Sequence, residues 1–525
     1  MNMKNTTVNQ TPFCILQNEI IYHPEPCLLF QHLCNNDSET LLLESAAVDN
    51  KQNQQSILIV NSALRITANQ QQVTFAALSP NGNALLSHIY LALPSELEKI
   101  ESDGQLVVNY PTIDPYLDED SRLKATSSLD ALRLIHHLAK HDTIDAEKIL
   151  LAGLFSYDLV AYFENLPPIA KSNRCPDYCL YLAEHYVVIE HQKQSAKLIS
   201  CQFSAKQSIA KTILNRHQAI ITATQQPLLP LPTGAEISTP LVVNKNDSEY
   251  CAMVEKLKKY IYQGDIFQVV PSRKFMLPCT APLSAYQRLT RQNPSLYMFY
   301  MQDQEFTLFG ASPESALKYD AKSRQIEIYP IAGTRPRGRN MLGEIDADLD
   351  SKIELALRTD QKELAEHIML VDLARNDLAR ICQPGSRYVA NLTSVDRYSH
   401  VMHLVSRVVG KLRTDLDVLH AYQACMNMGT LTGAPKIKAM TLIANYEKEN
   451  RGSYGGAIGY FMGNGDFDSC IVIRAAYIED NIASVQVGAG VVLDSDPQSE
   501  TDETRNKAQA VINAIMQSHQ SLEVC

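Results

Sequence analysis

ELAEHIMLVDLARND, Glu363–Asp377, and its distant echo SETDETRNK, Ser499–Lys507, are the two stretches from which the rest of the chain is best read. Each carries two glutamates three residues apart, Glu363/Glu366 and Glu500/Glu503, and each has a helical pattern, so each pair projects from one helical face. Such a pair taken alone is commonly a solvated helix surface. Four carboxylates aimed into one space repel one another unless a cation lies between them. An oxygen-only donor set without a Cys or His pair suits a hard ion. Mg²⁺ takes one or two carboxylates, keeps waters, and shares the rest of its shell with an anionic substrate. The expectation is a magnesium bridge to a small acid.

Around these helices, composition narrows the class. A chain of 525 residues is long for one core and predicts two domains or one two-lobed unit. Lys and Arg number 47 against 58 Asp and Glu, a net charge of −11 without a basic stripe, which argues against nucleic acid and anionic membranes as partners. Twelve cysteines without a CxxC pair read as reduced thiols, not as a disulfide framework or zinc site. The stretch MNMKNTTVNQTPFC has no apolar run, and nothing in the chain reaches membrane-spanning length, so a cytoplasmic protein is expected. Tryptophan is absent altogether.

The first half alternates short strands with amphipathic helices. LLLESA, Leu41–Ala46, is a strand running into Glu44 and Ser45, either a ligand contact or a satisfied turn, and SILIVNSALRITA follows as a second strand with a polar break at Asn61-Ser62. Ser128 to Ala139 reads as a helix, and GLFSYDLVAYFENLP, Gly153–Pro167, as a segment packed between lobes. The proline-rich Gln225–Pro240 is the linker, with a boundary near residue 245.

The second half opens on a helix capped by Asp247 or Ser248, with Tyr250, Met253, Val254, Leu257 and Ile261 as its stripe and Gly264 as its stop; a strand carrying Gln268 follows. NPSLYMFYM, Asn293–Met301, is a core strand after a proline. PIAGTRPRGRN, Pro330–Asn340, reads as a loop whose Gly333 and Thr334 amides approach a carboxylate, with Arg335 and Arg337 adding positive potential. SHVMHLVSRVVGKL, Ser399–Leu412, is a strand with Val401, His403, Val405, Arg407 and Val409 on one apolar face, where a histidine is more often a satisfied core residue than a catalyst. In NMGTLTGAPKIKAM, Gly429, Thr430, Thr432 and Gly433 precede Pro435, read as the first residue of a helix whose N-terminus suits an anion. Arg474 falls among apolar strand residues and needs an anionic partner, Gly488 and Gly490 leave room for a flat ligand, and Lys507 either joins that anion or pairs with Glu503 at i+4.

These strings together, with GDIFQVVPS, EHIMLVDLARND, VMHLVSR, GTLTGAPK, GSYGGAIGY, CIVIR, GAGVVLDS and ETRNK, closely resemble the chorismate-utilising enzymes and, over nearly the full length, the large synthase subunits of anthranilate synthases. The resemblance implies an α+β fold, a two-lobed sandwich of largely antiparallel β-sheets flanked by helices, with residues 1–245 as an N-terminal lobe bearing tryptophan regulatory elements and 246–525 as the chorismate-binding catalytic part. It implies chorismate plus ammonia giving anthranilate and pyruvate, the ammonia coming from glutamine through a partner amidotransferase subunit in a hetero-oligomer. None of the twelve cysteines sits in the Gly-flanked turn that a glutaminase nucleophile needs. By the same resemblance Glu366 and Glu503 are the magnesium ligands, with Glu363 and Glu500 behind them. Arg474 and Tyr454 hold the enolpyruvyl carboxylate; Gly333, Thr334, Lys507 and the Gly488, Ala489, Gly490 backbone contact substrate; His403 and Thr430 are catalytic. Tryptophan inhibition is implied at Glu44, Ser45, Pro294, Leu296, Tyr297 and Met298, with Leu296 standing where the family usually has proline.

Two positions separate relatives. Ala332 stands where aminodeoxychorismate synthases commonly carry a nucleophilic lysine, and Gln268 where isochorismate and salicylate synthases use a lysine to activate water. The competing readings are another chorismate enzyme, above all an aminodeoxychorismate synthase, a catalytically silent tryptophan-binding protein, and an α+β protein whose acidic pairs are surface decoration.

Overall fold

Strand Asn53–Asn69 organises the fold because its continuous apolar run Ile57–Val60 sends successive side chains to opposite faces, both of them buried. Ile57 and Ile59 enter one core, whereas Leu58 and Val60 enter another on the opposite face. The strand pairs antiparallel with Thr40–Ala46 on one side and Tyr178–Glu190 on the other. At Asn61-Ser62, the polar interruption, it does not end; the register to Tyr178–Glu190 slips there and pairing resumes. In this computed structural model the described residues are 14–46, 53–114, 116–142, 145–235, 240–340, 343–397 and 401–519. The N-terminal stretch through Phe13, part of the proline-rich linker (236–239) and Ser399 lie outside them.

All but two of the described strands join one hydrogen-bonded network, and its strand pairings are antiparallel. One face of the sheet is covered by helices Pro26–Cys34, Pro282–Gln292 and Pro497–Ser518, whose Phe30, Tyr286, Val511 and Ile515 close the second core. The other face meets the remaining sheet layer across the larger core, where Phe155 packs against Tyr422, ring centroids 4.6 Å apart. This is the helix-flanked sandwich expected of the resemblance. Among the described residues no helix is long and apolar enough to cross a membrane.

The network crosses residue 245. Thr40–Ala46 pairs with Tyr297–Gln302, Leu43 opposite Phe299, and Leu150–Phe155 pairs with Ala457–Met462. The boundary at 245 therefore divides the sequence, while strands on both sides share a sheet. Buried Arg65 strengthens this join: its Nε and Nη2 donate to the two oxygens of Asp303 at 2.8 and 2.9 Å, and Tyr181 donates to the same carboxylate at 2.7 Å. The segment expected between lobes does lie there, since Asn427 Nδ2 donates to the Tyr157 carbonyl and the Arg451 guanidinium covers the Tyr157 ring.

Several local expectations are corrected. Helix Asp247–Tyr262 is capped by Asn246, not by Asp247 or Ser248: the Asn246 side chain accepts from Glu249 N while Glu249 reaches back to the Asn246 amide. The Pro330–Asn340 segment is mostly the strand Ile331–Pro336, because its pairing with Val401–Lys411 tolerates a bulge at Gly333, whose φ of 68° a side chain would resist. Pro435 is the cap residue of helix Lys436–Glu447 and stands one position before its first turn.

Candidate active site

Helix Gln361–Ala379 starts at Asp360, whose side chain accepts from Lys362 N and Glu363 N, and this cap sets which face Glu363 and Glu366 present. Helix Pro497–Ser518 starts likewise at Asp496 and presents Glu500 and Glu503. The two faces converge. Burial pushes the Glu366 carboxyl up to about 7, Lys362 opposes, and the charges of Glu363, Glu500 and Glu503 push it further in the same direction as burial. Glu500 is also raised, by burial first, with Glu503 adding to it. Three of the four carboxylates are paired with cations: Glu363 accepts from Arg335 at 2.8 Å, Glu503 from Lys507 at 2.6 Å, and Glu366 stands 4.0 Å from Lys362 Nζ. Among the described residues no three His, Cys, Asp or Glu side chains stand close enough together to hold a metal ion by themselves. The donor set nevertheless fits Mg²⁺ held by two carboxylates plus an anionic ligand, because it is all oxygen and its members already feel one another's charge.

The residues expected to bind an anion lie beside these helices. Lys507 Nζ donates to the Gly488 carbonyl at 3.0 Å, and the Lys507 carbonyl accepts from Arg474 Nη1 at 3.0 Å. Arg474 is not inside a strand as the sequence pattern implied: it occupies a break between Phe467–Ile471 and Ala475–Glu479 with φ 51°. That left-handed turn takes its side chain out of the alternation and lets it reach the Lys507 backbone. Burial works against its charge, and Glu503 is the leading compensating carboxylate. Lys507 pairs with Glu503 at i+4, one of its two expected roles, and also donates to the Gly488 backbone. A Cβ on Gly488 would stand 2.6 Å from the Pro271 carbonyl oxygen and 2.9 Å from the Tyr454 hydroxyl, so close approach requires that glycine, whereas one on Gly490 would meet only the end of the Gln268 side chain, at 2.8 Å. Buried Gln268 leaves its Oε1 without a partner among the described residues.

His403 departs from the core reading. On strand Val401–Lys411, Met402, Leu404 and Val408 are fully buried on one face, while on the other Val405 and Val409 are buried and Val401, His403 and Arg407 are partly exposed. His403 Nδ1 and Thr334 Oγ1 share a hydrogen bond of 2.9 Å across the Ile331–Pro336 strand. Thr430 lies in the turn before Gly433–Ala434 and lines a small cavity with Glu314, a residue that sequence reasoning missed; its buried hydroxyl has no hydrogen-bond partner among the described residues. Burial pushes the Glu314 carboxyl up to about 8, against the Thr430 hydroxyl and the Lys507 charge, which pull it down. The only sequence signal was an acid in ASPESA, between two apolar runs.

The residues that the resemblance assigned to tryptophan inhibition gather elsewhere. Glu44, Ser45, Leu296, Tyr297 and Met298 line a cavity of about 410 Å³, together with Ile331, Val405, Gly459 and Asp468. Pro294 lines a neighbouring cavity that shares Glu44 and Met298 with the first.

The fold, a sandwich of antiparallel sheets with four glutamates brought together from two helices beside Arg474, Lys507 and Gly488, points to a class, and the chain belongs to the chorismate binding enzymes, whose family model matches residues 97–513. Within that class the chain is similar to anthranilate synthase component 1 of Escherichia coli (strain K12), 57% identical over 509 residues, 97% of this chain and 98% of that protein. The crystal structure of anthranilate synthase component I from Streptococcus pneumoniae TIGR4 superposes with a TM-score of 0.67 at 27% identity, covering 87% of this chain and 92% of that one. The menaquinone-specific isochorismate synthase of Escherichia coli shares the fold, with a TM-score of 0.70 at 18% identity over 97% of this chain and 96% of that one.

Proposed function

We propose that the chain is the large subunit of an anthranilate synthase, converting chorismate and ammonia to anthranilate and pyruvate at the head of tryptophan synthesis. The observation that carries this reading is the convergence of Glu363, Glu366, Glu500 and Glu503 beside the Arg474–Lys507–Gly488 anion site. The component 1 relatives imply a second component, and the amidotransferase that releases ammonia from glutamine is assigned to it.

Glu366 and Glu503 would hold Mg²⁺, with Glu363 and Glu500 behind them. When bound, the ion neutralises the ring carboxylate and fixes the ring's orientation. Arg474, Tyr454 and Lys507 grip carboxylate oxygens, helped by the backbone of Gly333, Thr334 and Gly488 to Gly490. The ammonia nitrogen bonds to C2 as the ring diene shifts and the C4–oxygen bond breaks; the departing hydroxyl takes up a proton and leaves as water. Glu314, a buried acid that still carries a proton at neutral pH, is assigned as that donor, with Thr430 beside it in the same small cavity. His403 then accepts the C2 proton while the C3–oxygen bond breaks, releasing enolpyruvate, which takes up a proton to become pyruvate, and leaving the aromatic ring. Ala332 and Gln268 offer no amine for a lysine-dependent chemistry.

The Glu314 assignment fixes a pH dependence. A carboxyl raised to about 8 is protonated below that pH and loses its proton above it, so kcat falls by one log unit per pH unit on the alkaline side. Glu314→Gln is expected to lower kcat about 10²-fold and to remove that limb. A pH–kcat profile of both proteins checks this.

The cavity at Glu44 and Tyr297 lies within the roughly 300–1,000 Å³ range of small-molecule sites, and tryptophan is the inhibitor proposed for it. Its walls Ile331 and Val405 belong to the two strands that carry Thr334 and His403, which gives a bound inhibitor a direct mechanical route to the site. Ser45→Leu, which fills the cavity, is expected to raise the half-inhibitory tryptophan concentration at least tenfold with the chorismate KM unchanged, read by inhibition assays.

A further inference from the structure

Next to the segments that form the site lies a buried ion pair that no step of the proposed reaction uses. Glu447 is the last residue of helix Lys436–Glu447, and Arg451 follows it after a turn at Lys448 with φ 63°. Both are buried, the arginine 3% exposed. They meet through two bonds, Arg451 Nε donating to one Glu447 oxygen at 2.9 Å and Nη2 to the other at 2.6 Å. The rest of the guanidinium reaches two other segments: Nη1 donates to the Leu431 carbonyl at 2.8 Å and Nη2 to the Val270 carbonyl at 2.7 Å. Two rings flank it, with Cζ 4.6 Å from the Tyr157 centroid and 5.4 Å from that of Tyr454. The carboxylate is as fully used. Glu447 accepts from the Ser272 amide at 2.7 Å and from the Ser272 hydroxyl at 2.8 Å, and Gln486 Nε2 donates to that same hydroxyl at 2.7 Å.

The segments so held are the ones that carry the site. Leu431 follows Thr430, whose own hydroxyl has no hydrogen-bond partner among the described residues, so the backbone of this turn decides where that hydroxyl stands. Ser272 stands opposite Gly488 in the strand register, and the Tyr454 hydroxyl faces Gly488. A planar guanidinium satisfies a carboxylate and two carbonyls at once because its donors are fixed in one fork, whereas an ammonium is a point charge without a plane. Apolar side chains of similar volume often serve stability as well as a buried ion pair does, so the distinctive contribution of this one is geometric.

Resting on the function proposed above, we infer that Arg451 is a positioning residue for the reaction. Anchored by Glu447, it fixes the Leu431 carbonyl and the Tyr454 ring. Through them it sets the Thr430 hydroxyl beside Glu314 and the tyrosine hydroxyl against the enolpyruvyl carboxylate. It touches no substrate itself.

The test is Arg451→Lys, which leaves Glu447 paired with a cation and removes the fork, assayed for anthranilate formation in the full chain with chorismate, ammonium and Mg²⁺. The expected result is a chorismate KM about fivefold higher, from Tyr454, together with a kcat about tenfold lower, from Thr430. A role in stability alone lowers the melting temperature and the fraction of active enzyme but leaves the chorismate KM where it was. Either constant unchanged in the folded variant overturns the inference. Thermal unfolding shows whether the variant folds; if it does not, Tyr157→Leu removes the ring from one face of the guanidinium, leaves its hydrogen bonds in place, and is judged by the same two constants. Failure of the underlying reading is separately visible, because the unaltered chain then forms no anthranilate.

Discussion

Glu503→Gln lowers kcat/KM for anthranilate formation by about 10³-fold and abolishes its response to added magnesium, an effect of several kcal/mol on a charge-neutralising contact. The reasoning starts from Glu366. Its carboxyl is held near 7 partly by Glu503, so half of it is protonated at neutral pH until a cation arrives. Mg²⁺ held by Glu366 and Glu503, as proposed, would release protons from Glu366 and displace Lys507 from Glu503. The amide of the variant lacks the charge to complete this exchange, and Lys507 remains free to bind elsewhere. Fluorescence of the product, with magnesium present or chelated, reads the first effect; calorimetric magnesium titration in two buffers of different ionisation heat reads the proton release. Retained magnesium-dependent turnover in Glu503→Gln would remove this residue from the metal site.

Asp303→Ala is expected to destabilise the chain by about 3–5 kcal/mol, the usual consequence of removing one partner from a buried ion pair. Arg65 would be left charged and buried, and the Tyr181 hydroxyl would lose its acceptor. Arg65→Met with Asp303→Leu recovers much of the loss, since neither charge is then stranded. Urea unfolding of the three proteins checks both statements. Burial pushes the Asp303 carboxyl up, but its bonds to Arg65 outweigh that and hold it below the ordinary value. Its contribution is therefore present above the unfolded carboxyl's pKa near 4 and is lost as pH falls through the lower folded value. A double variant no more stable than Asp303→Ala would refute the ion-pair account.

The helices and their glutamate faces were legible because i, i+3 spacing is a property of the backbone itself. The same holds for the stripe of Asp247–Tyr262 and for the alternation of Val401–Lys411. Which face of that second strand is core was not legible, since both faces carry valines and only the neighbouring strands leave one of them partly exposed. Glu314 was missed because its meaning comes from burial beneath Thr430, and an acid in a turn has the same local pattern when solvated. Arg474 was misplaced because a single left-handed residue breaks strand alternation without any glycine to announce it. Pro294 and Leu296 diverge in space for a related reason, the strand beginning at Tyr297 and the residues before it turning toward the neighbouring cavity.

Strand Thr40–Ala46 is completed on one side by Asn53–Asn69, close in sequence, and on the other by Tyr297–Gln302, some 250 residues later. During synthesis its outer edge waits unpaired until the ribosome has made the second half, at ~5–20 residues per second an interval of about 13–50 s. Leu150–Phe155 waits still longer for Ala457–Met462. A nascent N-terminal half thus exposes two sheet edges that only its own C-terminal half can satisfy. Chaperone dependence of expression, and aggregation of chains truncated after residue 245, follow from that order of manufacture.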